Sequence, residues 1–444
     1  MYNAVVIAAA MAVLPLPARG AGVGLDPLDQ WPQWRGPLAT GVAPRANPPV
    51  TWSEQENVRW KTSIPGKGHA TPIIWGDRVF LTTAADHGEP LPPPSLHSPG
   101  AHDNVPAVYR QRFMLLAVDR RNGAVIWERT LRTARPHESA HETGSWASNS
   151  PVTDGERVFA FFGSQGLYAL DVDGNLLWQT DLGDMQVLHG HGEGASPVLY
   201  GDTLVVNWDH EGESFVTALD KRTGEQRWKA PRNEATSWST PLIVEHDGTA
   251  QAVIAATNRI RAYDLNGGRL IWECGGLSGN VVASPVTEDG FVYAGSSYEK
   301  RALLAIRLAH AKGDITGTGA VVWTRDHDTP YVPSPLLYGG LLYYLKHYQG
   351  FLTCVDAKTG ATKYGPERLA GMGNVYASLA GAAGRVYVVS TNGSTVVAAH
   401  GPKLAILARN QLDDSFSASP ALVGNEIYLR GARNLYCIAQ EGAK

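Results

Sequence analysis

The side chains with most chemical potential lie in "HGHGEG", where His189, His191 and Glu193 alternate with glycines just ahead of a Ser-Pro. Imidazole nitrogens and a carboxylate suit a borderline metal such as Zn2+ or Cu2+. The upstream stretch "RPHESAHETGSW" adds His137 and His141 from a neighbouring loop. His137, His141, His189, His191 and Glu193 are therefore the candidate metal ligands. Against that chemistry, no HExxH or comparable fixed spacing occurs, and the interleaved glycines suit a close backbone turn as well as a ligand strand. No Ser/His/Asp nucleophile elbow, phosphate loop or zinc-finger spacing is present. Whether these groups meet depends on the elements that carry them.

Those elements repeat. A Ser-Pro or Thr-Pro recurs at Thr71, Ser150, Ser196, Thr240, Ser284, Ser334 and Ser419, with a degenerate copy at Ser378-Leu379. After the first step the period is roughly 40 to 50 residues, the range of propeller blades. The second unit, "SPVTDGERVFAFFGSQGLYALDVDGNLLWQTDL", reads as four short strands joined by tight turns. A second ruler marks the end of each third strand. Ala117-x-Asp119, Ala169-x-Asp171, Ala218-x-Asp220 and Ala262-x-Asp264 precede Trp127, Trp178, Trp228 and Trp272, and Trp323 follows a longer turn. One large ring per unit suits the wedge between neighbouring sheets. The final unit stops before its Trp strand, and "ENVRWKTSIPG" with Trp60 stands ahead of the first Thr-Pro. The fold class expected is all-β: an eight-bladed β-propeller of four-stranded antiparallel blades, its ring closed by an N-terminal strand completing the last blade.

Composition agrees with an all-β chain. The 444 residues hold 48 glycines, 28 prolines and 13 tryptophans, a turn-rich balance. A net charge of −4 gives no basic stripe, which excludes nucleic-acid binding through phosphate neutralisation. The apolar run from Ala4 to Leu16 is too short for a bilayer helix and precedes Ala18-Arg19-Gly20, a signal-peptidase pattern without a basic n-region. The organisation expected is a signal peptide over 1–20, a leader over 21–50 and the propeller over 51–440, with a Pro-rich insertion at 86–112 in blade one. No cysteine follows the apolar run to carry a lipid, and no transmembrane segment is expected. Periplasmic or secreted localisation follows from the signal pattern. Cys354 and Cys437 occupy the small third-strand slot that is alanine elsewhere, so the three cysteines read as packing residues.

With "ALDKRTGEQRW" (218–228) and "CVDAKTGATKY" (354–364) in view, the chain resembles the pyrroloquinoline-quinone-like (PQQ-like) propeller repeat family, over nearly everything from Trp52 to Ile438. That resemblance implies the fold and leaves activity open. In one branch, quinoprotein dehydrogenases, it implies PQQ on the axis, Ca2+ held by acidic and amide groups, an aspartate base and a disulfide of adjacent cysteines. Here Cys274, Cys354 and Cys437 are far apart, and no calcium set stands out. In the other branch it implies a non-enzymatic scaffold for protein partners.

The loops ahead of the Ser-Pro marks should converge on one mouth of the channel. The candidate ligand-binding residues there are His69, Trp146, Asn149, His189, His191, Glu193, Trp238, Asn280, Tyr331, Asn374, Tyr376 and Phe416. The insertion falls on this face as a lid or tether. The function expected is a monomeric, exported, non-catalytic binding or scaffold protein taking a protein partner, small molecule or glycan at that mouth. The alternatives are a PQQ-dependent oxidoreductase and a carbohydrate binder using Trp146, Trp238, Tyr331 and Phe416.

Overall fold

The computed structural model describes residues 24–92 and 98–440; the expected signal segment, residues 1–20, lies outside them. The described residues form eight antiparallel four-stranded blades around an axis. Blade two shows the pattern: Val152–Thr153, Arg157–Phe161, Leu167–Asp171 and Leu176–Thr180, ordered from axis to rim. Its middle strands are buried on both faces, because each blade is covered by the next. Its rim strand is largely exposed. In blade eight the rim strand is Val58–Ser63, which pairs antiparallel with Asn434–Ala439 and sets Trp60 opposite Cys437. No helix of the described residues is long and apolar enough to cross a membrane.

The recurring Ser or Thr has a physical reason that its spacing alone does not reveal. The backbone N–H of Thr71 donates to Ser150 Oγ at 2.9 Å, Ser150 to Ser196 Oγ at 2.9 Å, and Ser196 to Thr240 Oγ1 at 3.0 Å. Thr240, Ser284, Ser334 and Ser378 continue the series to Ser284, Ser334, Ser378 and Ser419, each at 2.9 Å. Each of blades two to eight thus supplies the acceptor for a buried N–H of the blade before it, which would otherwise be left unpaired. Ser378 keeps its place in this belt although its proline is Leu379. The belt stops at one joint: Thr71 Oγ1, on the seam between blades eight and one, is buried without a partner.

A second set of bonds ties the rims. Trp60, Trp127, Trp178, Trp228 and Trp323 donate Nε1–H to the carbonyls of Arg120, Val172, Lys221, Leu265 and Ala357 in the following blade, at 2.7 to 3.1 Å. Each ring also lies over a turn glycine of that blade. A Cβ on Gly224, which has φ +75°, would stand 2.6 Å from Trp178. Each tryptophan sits across the strand pair from a small residue: Ala117, Ala169, Ala218, Ala305 or Cys437. That is why alanine and cysteine alternate in this slot. After Ala117, Ala169 and Ala218 an aspartate two residues later closes the turn, as where Asp220 accepts the Arg222 N–H at 2.8 Å. Trp272 differs. Its Nε1 bonds Gln251 within its own blade, and a two-residue strand, Gly313–Asp314, pairs in parallel beside it.

The leader crosses the axis. Trp31 bridges Ile74 of blade one, and Pro32 accepts the N–H of Thr153 in blade two at 2.9 Å. Arg35, fully buried, then donates to the Leu379 carbonyl at 2.7 Å and to the Pro335 carbonyl, on blades seven and six across the ring. Ala43 and Asn47 donate to Gly381 and Gly424. All these partners follow the Ser/Thr belt, on or next to first strands, so the leader closes the end of the channel opposite the lead-in loops.

Candidate functional site

With one end closed, the channel is a cup of about 540 Å3. Strand alternation decides what faces it. The residue two before each belt position lines the cup in every blade: His69, Ser148, Gly194, Trp238, Val282, Val332, Tyr376 and Ser417. The residue one before the belt turns away and is buried between blades, and Asn149 is one of these. Trp34 of the leader reaches the cup from the closed end and forms its floor.

Blades five to seven build a wall of rings. Tyr298 stacks on Tyr331 with centroids 5.9 Å apart, Tyr331 lies 4.6 Å from His347, His347 4.3 Å from Tyr348, and Tyr348 stacks on Tyr376 at 5.3 Å. Asn280 stands beside them at φ +53°, and its amide oxygen is buried without a partner. The opposite wall is imidazole. His102 lies 4.9 Å from His189 and 4.8 Å from His191, and His141 lies 4.6 Å from His191.

The structure therefore sorts the residues that sequence put at the mouth. His69, His191, Glu193, Trp238, Asn280, Tyr331, Asn374 and Tyr376 line the cup. Trp146 does not: it packs toward the core of blades one and two and donates Nε1–H to Glu138 O at 3.2 Å. Phe416 is wholly buried, edge-on to Tyr436 at 5.7 Å. Asn149 is held between blades by its bond to Ala195 O at 2.6 Å. His189 lies behind His191, its ring toward Pro99 and His102. The proposed sugar ring of four aromatics thus keeps only Trp238 and Tyr331 in the cup.

The five candidate metal ligands divide in the same way. His141, His189 and His191 come together, but His137 turns away and donates Nε2–H to Met185 O at 2.7 Å. Glu193 turns to Ser164, accepting its N–H at 2.7 Å and its hydroxyl at 2.5 Å. The remaining rings point nitrogens at the backbone: His191 Nε2–H donates to His102 O at 3.2 Å, and His141 Nδ1 accepts from Thr143 N–H at 3.2 Å. Among the described residues no three His, Cys, Asp or Glu side chains are arranged to hold a metal ion.

His102 and Asp103 line the cup from the insertion and were missed by the sequence reading. The flanking strands run to His87 and from Arg110, and between them residues 98–105 lie against the next blades. Asn104–Val105 pairs with Ala140–His141, and Asn104 Nδ2 donates to His189 O at 2.8 Å. Loop length says nothing of which neighbour a loop will cover. Tyr298, His347 and Tyr348 were also missed, because they lie on loops between second and third strands rather than ahead of a Ser-Pro. The two-before-the-belt position was a usable signal, since an axis-facing residue must recur with period two from the belt hydroxyl.

Charge in the cup is one-sided. Burial holds His69 down to about 3 and His191 down to about 4, with His141 also lowered, so these imidazoles are neutral at pH 7. Burial also pushes the Glu193 carboxyl up to about 7. Asp103 and Glu142 line the mouth, and no Lys or Arg is among the lining residues. Lys67 spends its ammonium on the Glu142 carbonyl at 2.9 Å, and Lys300, Arg301 and Lys346 line a neighbouring hollow that shares Tyr298 and His347 with the cup.

These groups do not fit a PQQ–Ca2+ pair. PQQ carries three carboxylates, and a lining without Lys or Arg offers no cation to meet them. Calcium needs six to eight oxygens at once, whereas Glu193 is tied to Ser164. Cys274, Cys354 and Cys437 are free and buried in separate blades, with burial pushing their thiols up to about 11, 12 and 12.

Comparison with known proteins bears on the fold. The chain matches the family described as "Outer membrane protein assembly factor BamB" over residues 107–364. Among solved structures it is similar to BamB from Moraxella catarrhalis at 14% identity and TM-score 0.52, covering 82% of this chain and 99% of that one. It is also similar to a europium-containing methanol dehydrogenase, at 11% identity and TM-score 0.63, covering 92% of this chain and 90% of that one. A quinohemoprotein alcohol dehydrogenase from Comamonas testosteroni follows at 12% identity and TM-score 0.63, covering 94% and 81%. No curated protein sequence matches the chain. At these identities the likeness concerns the fold alone.

Proposed function

The chain belongs to the family of the outer membrane protein assembly factor BamB, and we propose that it works as an exported, non-catalytic binding protein whose ligand enters the closed-ended cup. The observation that carries this reading is the cup itself: a concave site with a tryptophan floor, a stacked aromatic wall and a few polar groups directed inward. Ligand sites in general have this make-up. Family membership supports a binding role, since the family description names an assembly factor. The dehydrogenase neighbours share the fold, but their cofactor class finds no counter-charges in this lining.

The test is to fill the cup. Val332→Trp places a large ring on the wall without touching the belt. Thermal-shift screening of the purified chain against amines, sugars, organic acids and short peptides should find a class that stabilises the wild type and not Val332→Trp. Dye reduction on adding PQQ and Ca2+, or stabilisation that ignores the blocked cup, would overturn the proposal.

A further inference from the structure

The cup's chemistry narrows what it receives. Three independent features agree. First, Tyr298, Tyr331, Tyr348 and Tyr376 form a continuous aromatic run with His347, the His347 ring 4.6 Å from Tyr331 and 4.3 Å from Tyr348. Aromatic faces attract cations through the ring quadrupole and offer anions nothing. Second, among the described lining residues Asp103 and Glu142 contribute carboxylates, and Lys and Arg contribute nothing. These two carboxylates lie on one segment pair, with Glu142 N–H donating to Asp103 O at 2.7 Å. Third, Asn280 is 95% buried, lines the cup beside Tyr331, and leaves its amide oxygen without a donor among the described residues. A buried acceptor in that state costs stability until an N–H or O–H reaches it.

Resting on the binding reading above, we infer that the cup recognises a protonated amine, R–NH3+, carried by a free alkylamine or by a lysine side chain of a partner protein. An ammonium group meets all three features at once: it is cationic for the rings and carboxylates, and it carries N–H donors for Asn280. A quaternary ammonium satisfies the first two and leaves Asn280 unpaired. A neutral sugar satisfies Asn280 and gains nothing from the carboxylates. A carboxylate or phosphate ligand opposes the charge of the mouth.

Calorimetry on the full chain tests this with probes that differ only in charge. Cadaverine is compared with 1,5-pentanediol, and an Nα-acetyl-lysine peptide with the same peptide acetylated at Nζ. The cationic member of each pair should bind at least tenfold more tightly. The tighter of the two cations then distinguishes a free amine from a partner's lysine. Tyr331→Phe, which keeps the ring, should bind within threefold of wild type, whereas Tyr331→Leu should lose about tenfold. Glu142→Gln, on the exposed rim, guards against a folding artefact and should weaken only the cations. Equal binding of charged and neutral members, or no binding by either cation, overturns the inference. If some other class still stabilises the wild type and not Val332→Trp, the ammonium assignment falls while the cup remains the binding site.

Discussion

The belt of Ser and Thr hydroxyls makes a prediction with its own control, because one substitution can be made at two sites that differ in a single bond. Thr240→Val removes the acceptor of the Ser196 N–H, bonded at 3.0 Å, and Ser196 is 4% exposed. The donor is left without its protein acceptor at a buried residue, so the expected cost is about 1–3 kcal/mol. Thr71→Val deletes a hydroxyl that is also buried but accepts nothing among the described residues, and removing an unpaired buried polar atom should be neutral or stabilising by up to ~1 kcal/mol. A folded unit of about 400 residues unfolds with an entropy near 0.9 kcal/mol/K, so a 2 kcal/mol loss lowers Tm by roughly 2–3 °C. Calorimetry at matched scan rate should therefore show Thr240→Val melting about 2–4 °C below Thr71→Val, with Thr71→Val at or above wild type. Equal losses, or a larger loss at Thr71, would refute the claim that the belt bonds hold neighbouring blades together.

Further outcomes follow from the same geometry. Gly224→Ala sets a Cβ 2.6 Å from Trp178 at φ +75°; it should lower Tm by a few degrees, and pairing it with Trp178→Leu should recover part of the loss. Glu193 binds its proton more tightly when folded, at about 7 against an ordinary 4.5. Its contribution is therefore complete below about pH 4.5 and is lost as pH rises through 7. Glu193→Gln should flatten that fall, so the Tm gap between variant and wild type shifts by about 2–4 °C toward the variant between pH 5 and 8. Arg35→Ala removes the clamp to Leu379 and Pro335, and limited proteolysis should then cut within 24–50 several times faster, with the blades intact.

Much of this architecture was legible because repetition multiplies a weak signal. A single Ser-Pro or Ala-x-Asp means little, but seven Ser/Thr-Pro marks and one Ser-Leu, evenly spaced after the first step, define strand order, turn positions and the small slot opposite each tryptophan. The site was less legible. Trp146 and Phe416 stand in lead-in loops like Tyr331, yet side-chain direction in a loop is set by packing, and both rings found apolar cover. His137 and His141 are four residues apart in one segment and face different neighbours, Met185 O and Thr143. His102 belonged to a stretch that looked like a tether, and only contact with His189 and His191 makes it part of the wall. Local period predicts strands; it does not predict which loop leans on which.

The leader that floors the cup also imposes an order in time. Residues 31 to 47 leave the ribosome early, yet their partners Pro335, Leu379, Gly381 and Gly424 emerge near the end. Until then Arg35 has no carbonyls to meet and Trp34 nothing to seal. A nascent or truncated chain therefore carries an open tube, and only a finished one carries a receptacle.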